Sequence, residues 1–163
     1  MTESPISLGN SILIRQAAQT DMDELLFLLH MLFSIEKDFC FDEIRQRRGL
    51  EVMLENTENR CIMVAECEKK MVAMCSVQLL ISTAEGGPAG LVEDLAVHPD
   101  FRSMGIGRSL LKHIEKWTKE KGATRLQLLA DRNNHNALGF YEKLNWKRTH
   151  LICLRKSEIA KIK

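Results

Sequence analysis

The sequence has almost no net charge, no CxxC pair and no long apolar run. Its 163 residues hold 23 Lys and Arg against 22 Asp and Glu, a balance that gives no electrostatic reason to expect nucleic acid or an anionic membrane as partner. No apolar stretch approaches the roughly 18 residues of a membrane span. The first ten residues lack the basic start and apolar stretch of a signal peptide. These absences predict a cytoplasmic protein that binds neither nucleic acid nor membrane.

The cysteines and histidines show no metal-ligand spacing. The five cysteines are odd in number and lie mostly inside apolar runs: Cys40, Cys61, Cys67, Cys75 and Cys153. Four of the histidines are expected in loops or on the surface: His98, His113, His135 and His150. The sequence therefore predicts reduced, buried thiols and no metal site.

Apolar periodicity predicts ten secondary-structure elements in the order β-α-α-β-β-β-α-β-α-β. The expected strands are 11–17, 61–66, 71–82, 91–97, 124–130 and 146–156. The expected helices are 22–35, 42–56, 109–122 and 134–145, and 83–90 is expected to be a flexible connection. This order implies an α/β fold with a mixed, mostly antiparallel sheet and helices on both faces. One domain is expected over 11–156, with tails at 1–10 and 157–163.

Residues 102–109, RSMGIGRS, place two glycines between a predicted strand and a predicted helix. Glycine permits positive φ and a close approach of ligand to backbone, and a helix N-terminus attracts anions. Arg102 and Arg108 could supply charge, and Ser109 a further donor. The stretch predicts a phosphate or pyrophosphate site, with an ordinary surface turn as the alternative. Leu110 stands where the dinucleotide pattern needs a third glycine, and the Walker pattern is absent, so neither nicotinamide nor ATP is favoured.

Two motifs resemble one family. The first, from Arg102 to Gly107, is similar to the R/Q-x-x-G-x-G/A signature of the GNAT superfamily of N-acetyltransferases. The second, NHNALGFYEKLNW at 134–146, resembles that family's N-x-x-A-x-x-F-Y-x-x-x-G-F/W segment. Asn145 replaces the usual glycine, but asparagine tolerates the left-handed conformation needed at a helix end. The resemblance implies a GNAT-like fold and acetyl-CoA as cofactor.

The resemblance also implies where coenzyme A binds. Its pantetheine arm is expected beside strand 91–97, and its pyrophosphate on the glycine turn. The implied cofactor-binding residues are Leu95, Ala96, Val97, Arg102, Ser103, Met104, Gly105, Ile106, Gly107, Arg108, Ser109, Asn134, Ala137 and Tyr141.

Glu93 and Asp94 are candidates for the base that deprotonates an ammonium group. A carboxylate in a sheet covered on both faces is costly unless it has a partner, so either residue suggests a site. Regular strand alternation puts Glu93 on the side of Leu91 and Leu95, and Asp94 on the other. Glu93 is the predicted base. Its alternative is a solvated strand start or a structural hydrogen bond, and Asp94 remains the second candidate.

Tyr141, the only tyrosine, occupies the motif position of the tyrosine that serves the leaving thiolate as general acid in the family. That role is the prediction for Tyr141, and core packing is the alternative.

The predicted function is direct, acetyl-CoA-dependent N-acetylation of a small-molecule or peptide amine. One alternative is an acyltransferase with a covalent acyl-cysteine at Cys75 or Cys153. Another is a non-catalytic acyl-CoA sensor. VEDLAV at 92–97 and LRK at 154–156 resemble glucosamine-phosphate acetyltransferases, and the basic run 44–48 is a solvated helix face or a contact for an anionic acceptor. A homodimer is compatible with the sequence.

Overall fold

The computed structural model describes residues 11–157. These residues include five strands and four α-helices. In chain order they are β1 (Ile12–Gln16), α1 (Met22–Ile35), α2 (Glu43–Glu55), β2 (Arg60–Cys67), β3 (Lys70–Ser82), β4 (Gly87–Val97), α3 (Ile106–Glu120), β5 (Leu126–Leu128) and α4 (His135–Lys143). Short 3₁₀ turns lie at Gln19–Asp21 and Pro99–Phe101. The chain divides into two compact units, of which the first ends at Leu128 and the second contains α4.

The strands form one sheet in the order β1-β2-β3-β4-β5. The first three pairings are antiparallel, and β5 runs parallel to β4. This arrangement follows from the connections, since tight turns join β2 to β3 and β3 to β4, whereas the helix α3 carries the chain from β4 to β5. The predicted mixed, mostly antiparallel sheet is confirmed.

Helices cover both faces of the sheet, as predicted. On one face, α1 and α2 enclose an apolar cluster that includes Leu25, Leu28 and Leu50 with the strand residues Ile62, Val64, Met74 and Ala96. On the other face, α3 packs against β1 to β4. Its buried stripe consists of Leu110, Leu111, Ile114 and Trp117, which recur at helical spacing.

Glycines in the left-handed region lie at both ends of α3. Gly105 precedes the helix with φ +78°, and Gly122 follows it with φ +82°. Beyond the last turn, the Ala123 N–H donates to the Thr118 carbonyl at 3.0 Å, which closes the helix end. The predicted stop at Gly122 is confirmed. The start lies at Ile106, three residues before the predicted one, because the turn at Gly105 already directs the chain into the helix.

Asp21 directly precedes α1, and aspartate at that position predicts a helix N-cap. The prediction is wrong, because the Asp21 side chain makes no capping hydrogen bond to α1. Its carboxylate instead accepts two hydrogen bonds from Arg15, at 2.7 and 2.9 Å, and a third from the Ala18 N–H at 2.8 Å. Arg15 also donates to Glu66 at 2.6 Å. The hydrogen bonds from Arg15 hold the pKa of Asp21 below its usual range. This network ties the start of α1 to β1 and β2.

Two local predictions are wrong. Residues 87–90 are not a flexible connection, because Gly86 (φ +68°) makes the turn and Gly87 already pairs with Ser82 of β3. Residues 146–156 form no strand. Their apolar side chains at 151, 152 and 154 are 71–87% exposed, so no neighbouring strand or helix buries the alternation that suggested one. The predicted tails lie outside the described residues, except for Ser157.

Candidate active site

Strands β4 and β5 part after a short stretch of pairing. Gly90, Leu91 and Val92 of β4 pair with Leu126 to Leu128 of β5, and pairing ends there although β4 continues to Val97. Gly90 permits this contact, since a Cβ at that position would overlap the side chain of Leu126. Within residues 11–157, no strand pairs with this edge of β4 beyond Val92. A strip of β4 backbone is therefore left without a strand partner.

The backbone groups of Leu95 and Val97 point toward that open edge. The His98 N–H donates to Val72 of β3 at 2.8 Å, so His98 faces β3. Because backbone groups alternate sides along a strand, Val97 and Leu95 face away from β3. The carbonyl of Val97 accepts a hydrogen bond from Nε of Arg102 at 3.1 Å. Ala96 differs from its two neighbours, because its side chain is buried in the α1–α2 core and it pairs with Met74.

The glycine turn follows directly after β4. Ser103 and Gly105 both have positive φ, at +62° and +78°. The backbone N–H groups in the first turn of a helix have no intrahelical carbonyl partner, and they carry the positive end of the helix dipole. In α3 this first turn comprises Ile106, Gly107 and Arg108, whereas the Ser109 N–H already donates to Gly105 at 3.0 Å. This geometry suits an anion.

The side chains around the turn are mostly exposed. Arg102, Ser103, Met104 and Arg108 face solvent, and Ser109 is half-buried. Ile106 is only 2% exposed and anchors the helix start in the core. A Cβ added at Gly105 meets no protein atom within 4 Å, so the space above the turn is open. The polar groups predicted to serve a pyrophosphate thus surround an accessible turn.

A β-bulge in β4 carries the two acidic residues. Cys75 of β3 pairs with Leu95, and Val77 pairs with Val92, so the single residue Ser76 lies opposite both Glu93 and Asp94. A bulge of this kind interrupts the alternation of side chains. The prediction that Glu93 and Asp94 point to opposite faces is therefore wrong.

Hydrogen bonds show that both acidic side chains lie on one face. Asp94 Oδ2 accepts from the Ser76 hydroxyl at 2.9 Å, and Glu93 Oε2 accepts from Gln78 Nε2 at 3.1 Å. Ser76 and Gln78 are two residues apart on β3 and so share a face. That face also carries Met74 and is the one covered by α1 and α2.

The two carboxylates differ in environment. Glu93 is exposed, whereas Asp94 is half-buried beside a serine that is only 2% exposed. Burial raises the pKa of Asp94 to about 6, against the hydrogen bond from Ser76, which lowers it. The negative charges of Glu93 and of Glu36, at the end of α1, raise the pKa further. The pKa of Asp94 is therefore raised from the ordinary 3.8 to about 6 by its environment.

Ser76 and Glu36 are parts of this site that no sequence motif predicted. The signal for Ser76 was a single hydroxyl in the otherwise apolar run MVAMCSV of β3. Glu36 left no signal, because its approach to Asp94 depends on how α1 packs on the sheet.

The second motif forms α4 in the second unit. The side chain of Asn134 caps this helix by accepting a hydrogen bond from the Ala137 N–H at 3.0 Å. Tyr141 is half-buried, and its ring lies 5.2 Å from that of Phe140 and 5.8 Å from that of Trp146, centroid to centroid. The helix ends with Asn145 at φ +65° and a hydrogen bond from the Trp146 N–H to the Tyr141 carbonyl at 3.0 Å. The left-handed conformation predicted for Asn145 is confirmed.

The cysteines are free thiols, and three of the five are buried. Cys40 and Cys153 are exposed, contrary to the general prediction of burial. Cys75 has no exposed surface, and burial, together with the charge of Asp94, raises its pKa far above the ordinary value. Burial also raises the pKa of Cys61, to about 12. Both thiols stay protonated near neutral pH and are poor nucleophiles.

In the described part of the chain, no group of three His, Cys, Asp or Glu side chains could hold a metal ion. None of the helices described is long and apolar enough to cross a bilayer.

Comparison with known proteins places this geometry in a fold class. The aminoglycoside N-acetyltransferase AAC(6')-Iy, solved in complex with CoA, superposes with a TM-score of 0.80 at 18% identity, over 93% of this chain and 99% of that one. The glucosamine-6-phosphate N-acetyltransferase from Arabidopsis thaliana superposes with a TM-score of 0.73 at 22% identity, over 90% and 99% of the two chains. The chain thus has the fold of these acetyltransferases.

Sequence comparison gives the family. The model of the acetyltransferase (GNAT) family matches residues 29–146. An acetyltransferase of Yersinia enterocolitica is 29% identical over 149 residues, which cover 90% of this chain and 96% of that protein. The chain belongs to the acetyltransferase (GNAT) family, as its two motifs predicted.

Proposed function

We propose that the protein is an acetyl-CoA-dependent N-acetyltransferase that transfers the acetyl group directly to a primary amine. In this proposal, residues 11–156 act as one catalytic domain in the cytoplasm. The observation that carries it is the open edge of β4, followed at once by a glycine turn and a helix N-terminus. The family membership and the CoA-bound structure of AAC(6')-Iy support the same conclusion.

The residues at this edge fit coenzyme A in two respects. Leu95 and Val97 present backbone groups that an amide-containing arm can pair with, in the manner of an added strand. The first turn of α3 presents N–H groups and a positive dipole for a pyrophosphate, with open space above Gly105. When bound, acetyl-CoA supplies the acetyl group as a thioester.

The chain's own residues would handle the protons. A carboxylate at the bulge, Glu93 or its neighbour Asp94, accepts a proton from the acceptor's ammonium group, because only the neutral amine is nucleophilic. Tyr141 gives a proton to the departing sulfur from its phenol. Backbone N–H groups of Leu95 or Val97 donate to the carbonyl oxygen as it gains negative charge.

The cysteine alternative is disfavoured by burial. Cys75 has no exposed surface and a strongly raised pKa. To form an acyl-cysteine intermediate, this core residue would have to become exposed and lose its proton. Cys153 is exposed, but it lies in residues 151–157, which form no regular structure that would position a nucleophile. Direct transfer requires neither thiol.

The acceptor is proposed to be a small molecule or peptide that carries a primary amine. Structural relatives include enzymes named for aminoglycosides and for glucosamine 6-phosphate. Both acceptor types bear amines that are charged at neutral pH, which suits a site with three carboxylates, Glu36, Glu93 and Asp94.

The test is an acceptor panel incubated with acetyl-CoA and the purified protein, with release of free thiol as the readout. The panel holds an amino-sugar phosphate, a polyamine, an aminoglycoside, an amino acid derivative and a lysine peptide. Mass spectrometry should show one added acetyl group on an acceptor nitrogen and none on any cysteine of enzyme quenched during turnover. Binding of CoA without thiol release for any acceptor would favour the sensor alternative. A kinetically competent acetyl-cysteine would favour the covalent one.

A further inference from the structure

Ser76 and Asp94 form a closed pair of hydrogen bonds at the β4 bulge. The Ser76 hydroxyl donates to Asp94 Oδ2 at 2.9 Å and accepts from the Asp94 backbone N–H at 3.0 Å. A serine hydroxyl has one proton and two lone pairs, so both contacts can form at once. The pair fixes the backbone and the carboxylate of the same residue, and Ser76 is buried on β3.

We propose that Asp94, rather than Glu93, is the proton acceptor in the acetyl transfer, and that Ser76 is its positioning residue. This inference rests on the proposed function and identifies which of the two carboxylates at the bulge acts. It depends on the bulge, which brings both carboxylates to one face but gives them different surroundings.

The hydrogen bonds leave one oxygen of Asp94 available. Oδ2 is held by Ser76, whereas Oδ1 accepts no hydrogen bond from any of the described residues. No lysine, arginine or histidine in residues 11–157 forms an ion pair with Asp94. The carboxylate is thus oriented without being neutralised by a cation, which is what a general base requires.

Among residues 11–157, the charged groups that act on Asp94 are both acidic. Glu93 lies beside it on β4, and Glu36 approaches from the end of α1. Cys75, next to Ser76 on β3, points to the other face of the sheet, and its raised pKa keeps it protonated. The acidic surroundings and partial burial place the pKa of Asp94 at about 6, close to the pH at which a base is most effective. Glu93, in contrast, is exposed and paired with Gln78 through Oε2.

The proton balance of the reaction is complete with these groups. The Asp94 carboxylate takes one proton from the acceptor's ammonium group and releases it to solvent. The acceptor nitrogen forms a bond to the acetyl carbon as the carbon–sulfur bond breaks. The nitrogen then loses a second proton, which balances the proton that the departing sulfur gains. The products are an amide, a thiol and the one proton that Asp94 released to solvent.

The first test measures Asp94 without any activity. Carboxyl ¹³C resonances of the full chain are titrated by NMR, and the Asp94 signal is identified by its loss in Asp94→Asn. The midpoint is expected near pH 6. It should rise in Ser76→Ala, because the hydrogen bond that favours the carboxylate is lost, and return toward the wild-type value in Ser76→Thr. A midpoint near the ordinary value of 3.8 in the wild type, or no change in Ser76→Ala, would overturn the inference.

The second test follows the pH profile of kcat/KM with the acceptor found in the panel. Ser76→Ala should move the acidic limb to higher pH, whereas Gln78→Ala, on the same face of β3, should leave it in place. Asp94→Asn should lower kcat by roughly 100- to 10,000-fold, the scale of general-base catalysis, and Glu93→Gln by less than about tenfold. A larger loss for Glu93→Gln than for Asp94→Asn would return the role to Glu93.

Glu93→Gln keeps the test decisive if Ser76→Ala does not fold. Removing the neighbouring negative charge should lower the Asp94 midpoint and move the acidic limb to lower pH. Failure of the inference differs from failure of the proposed function. If the enzyme is active but the acidic limb of its pH profile does not move in Ser76→Ala or Glu93→Gln, only the inference is refuted. If no acceptor gives thiol release, the proposed function is refuted and, with it, the role of Asp94.

Discussion

Replacement of Gly105 by valine tests whether the glycine turn is built for a ligand. Gly105 has φ +78°, in the left-handed region, and a Cβ there meets no protein atom within 4 Å. Gly86, at the other end of β4, has φ +68° and the same open space. Replacing either glycine by valine should therefore cost a similar amount of backbone strain. Only Gly105 adjoins the proposed coenzyme A site.

The structure sets the expected magnitudes. A residue other than glycine in the left-handed region costs about 1–2 kcal/mol, so Gly105→Val and Gly86→Val should each lower the midpoint of thermal unfolding by roughly 2–8 °C. Only Gly105→Val should also weaken CoA binding. A backbone N–H bonded to a charged group contributes about 1.5–3 kcal/mol, and 1.4 kcal/mol is a tenfold change in Kd. Loss of one such contact would weaken binding roughly 10- to 100-fold.

The assay is calorimetric titration with CoA at a temperature where all variants are folded, as checked by circular dichroism. Gly105→Asn provides a third comparison, because asparagine tolerates positive φ, as Asn145 shows in this chain. It should preserve more stability than valine and still obstruct CoA. Unchanged CoA affinity in a folded Gly105→Val protein would refute the assignment of the turn to the pyrophosphate. Equal weakening by Gly86→Val would show that the effect comes from general destabilisation.

Three further variants test other parts of the molecule. Tyr141→Phe should lower kcat by roughly 10- to 1,000-fold at saturating substrates with CoA affinity nearly unchanged; full turnover when chemistry limits the rate would leave Tyr141 only a packing role. Asp21→Asn should lower the free energy of unfolding at pH 7 by about 2–3 kcal/mol, because it weakens a partly buried, doubly hydrogen-bonded ion pair with Arg15. Since the folded-state pKa of Asp21 is lowered, its contribution is present above pH 3.8 and is lost as pH falls through the folded pKa, so urea unfolding should show the deficit shrinking in acid. For Asp94 the pH dependence of stability is reversed, because its folded-state pKa is raised to about 6. The free energy of unfolding therefore falls as pH rises from about 4 through 6. Asp94→Asn should therefore be more stable than the wild type by about 1–3 kcal/mol at pH 7.5 and nearly equal to it below pH 4, and equal stabilities at pH 7.5 would contradict the raised pKa.

Local sequence determined the features that depend on near neighbours. The apolar spacing of Leu110, Leu111 and Ile114 was sufficient to predict α3, because a helix repeats every 3.6 residues whatever it packs against. Gly122 and Asn145 ended their helices as predicted, since left-handed φ values depend on residue type. The short motif at 102–107 identified the family because the backbone of such a turn is specified by the turn residues themselves.

Features that depend on pairing between distant segments could not be predicted from the local sequence. The alternating run at 146–156 predicted a strand, yet a strand exists only where another strand accepts its hydrogen bonds. The end of β5 pairing at Leu128, which opens the edge of β4, is likewise a property of two strands together.

The acidic pair gives the clearest division between the two levels. The sequence showed that two carboxylates interrupt an apolar strand, and this was enough to predict a site near them. Only the tertiary structure decided that they share a face, because the bulge arises from the register between β3 and β4. It also decided which carboxylate is held by Ser76 and partly withdrawn from water, and that environment sets the pKa of Asp94.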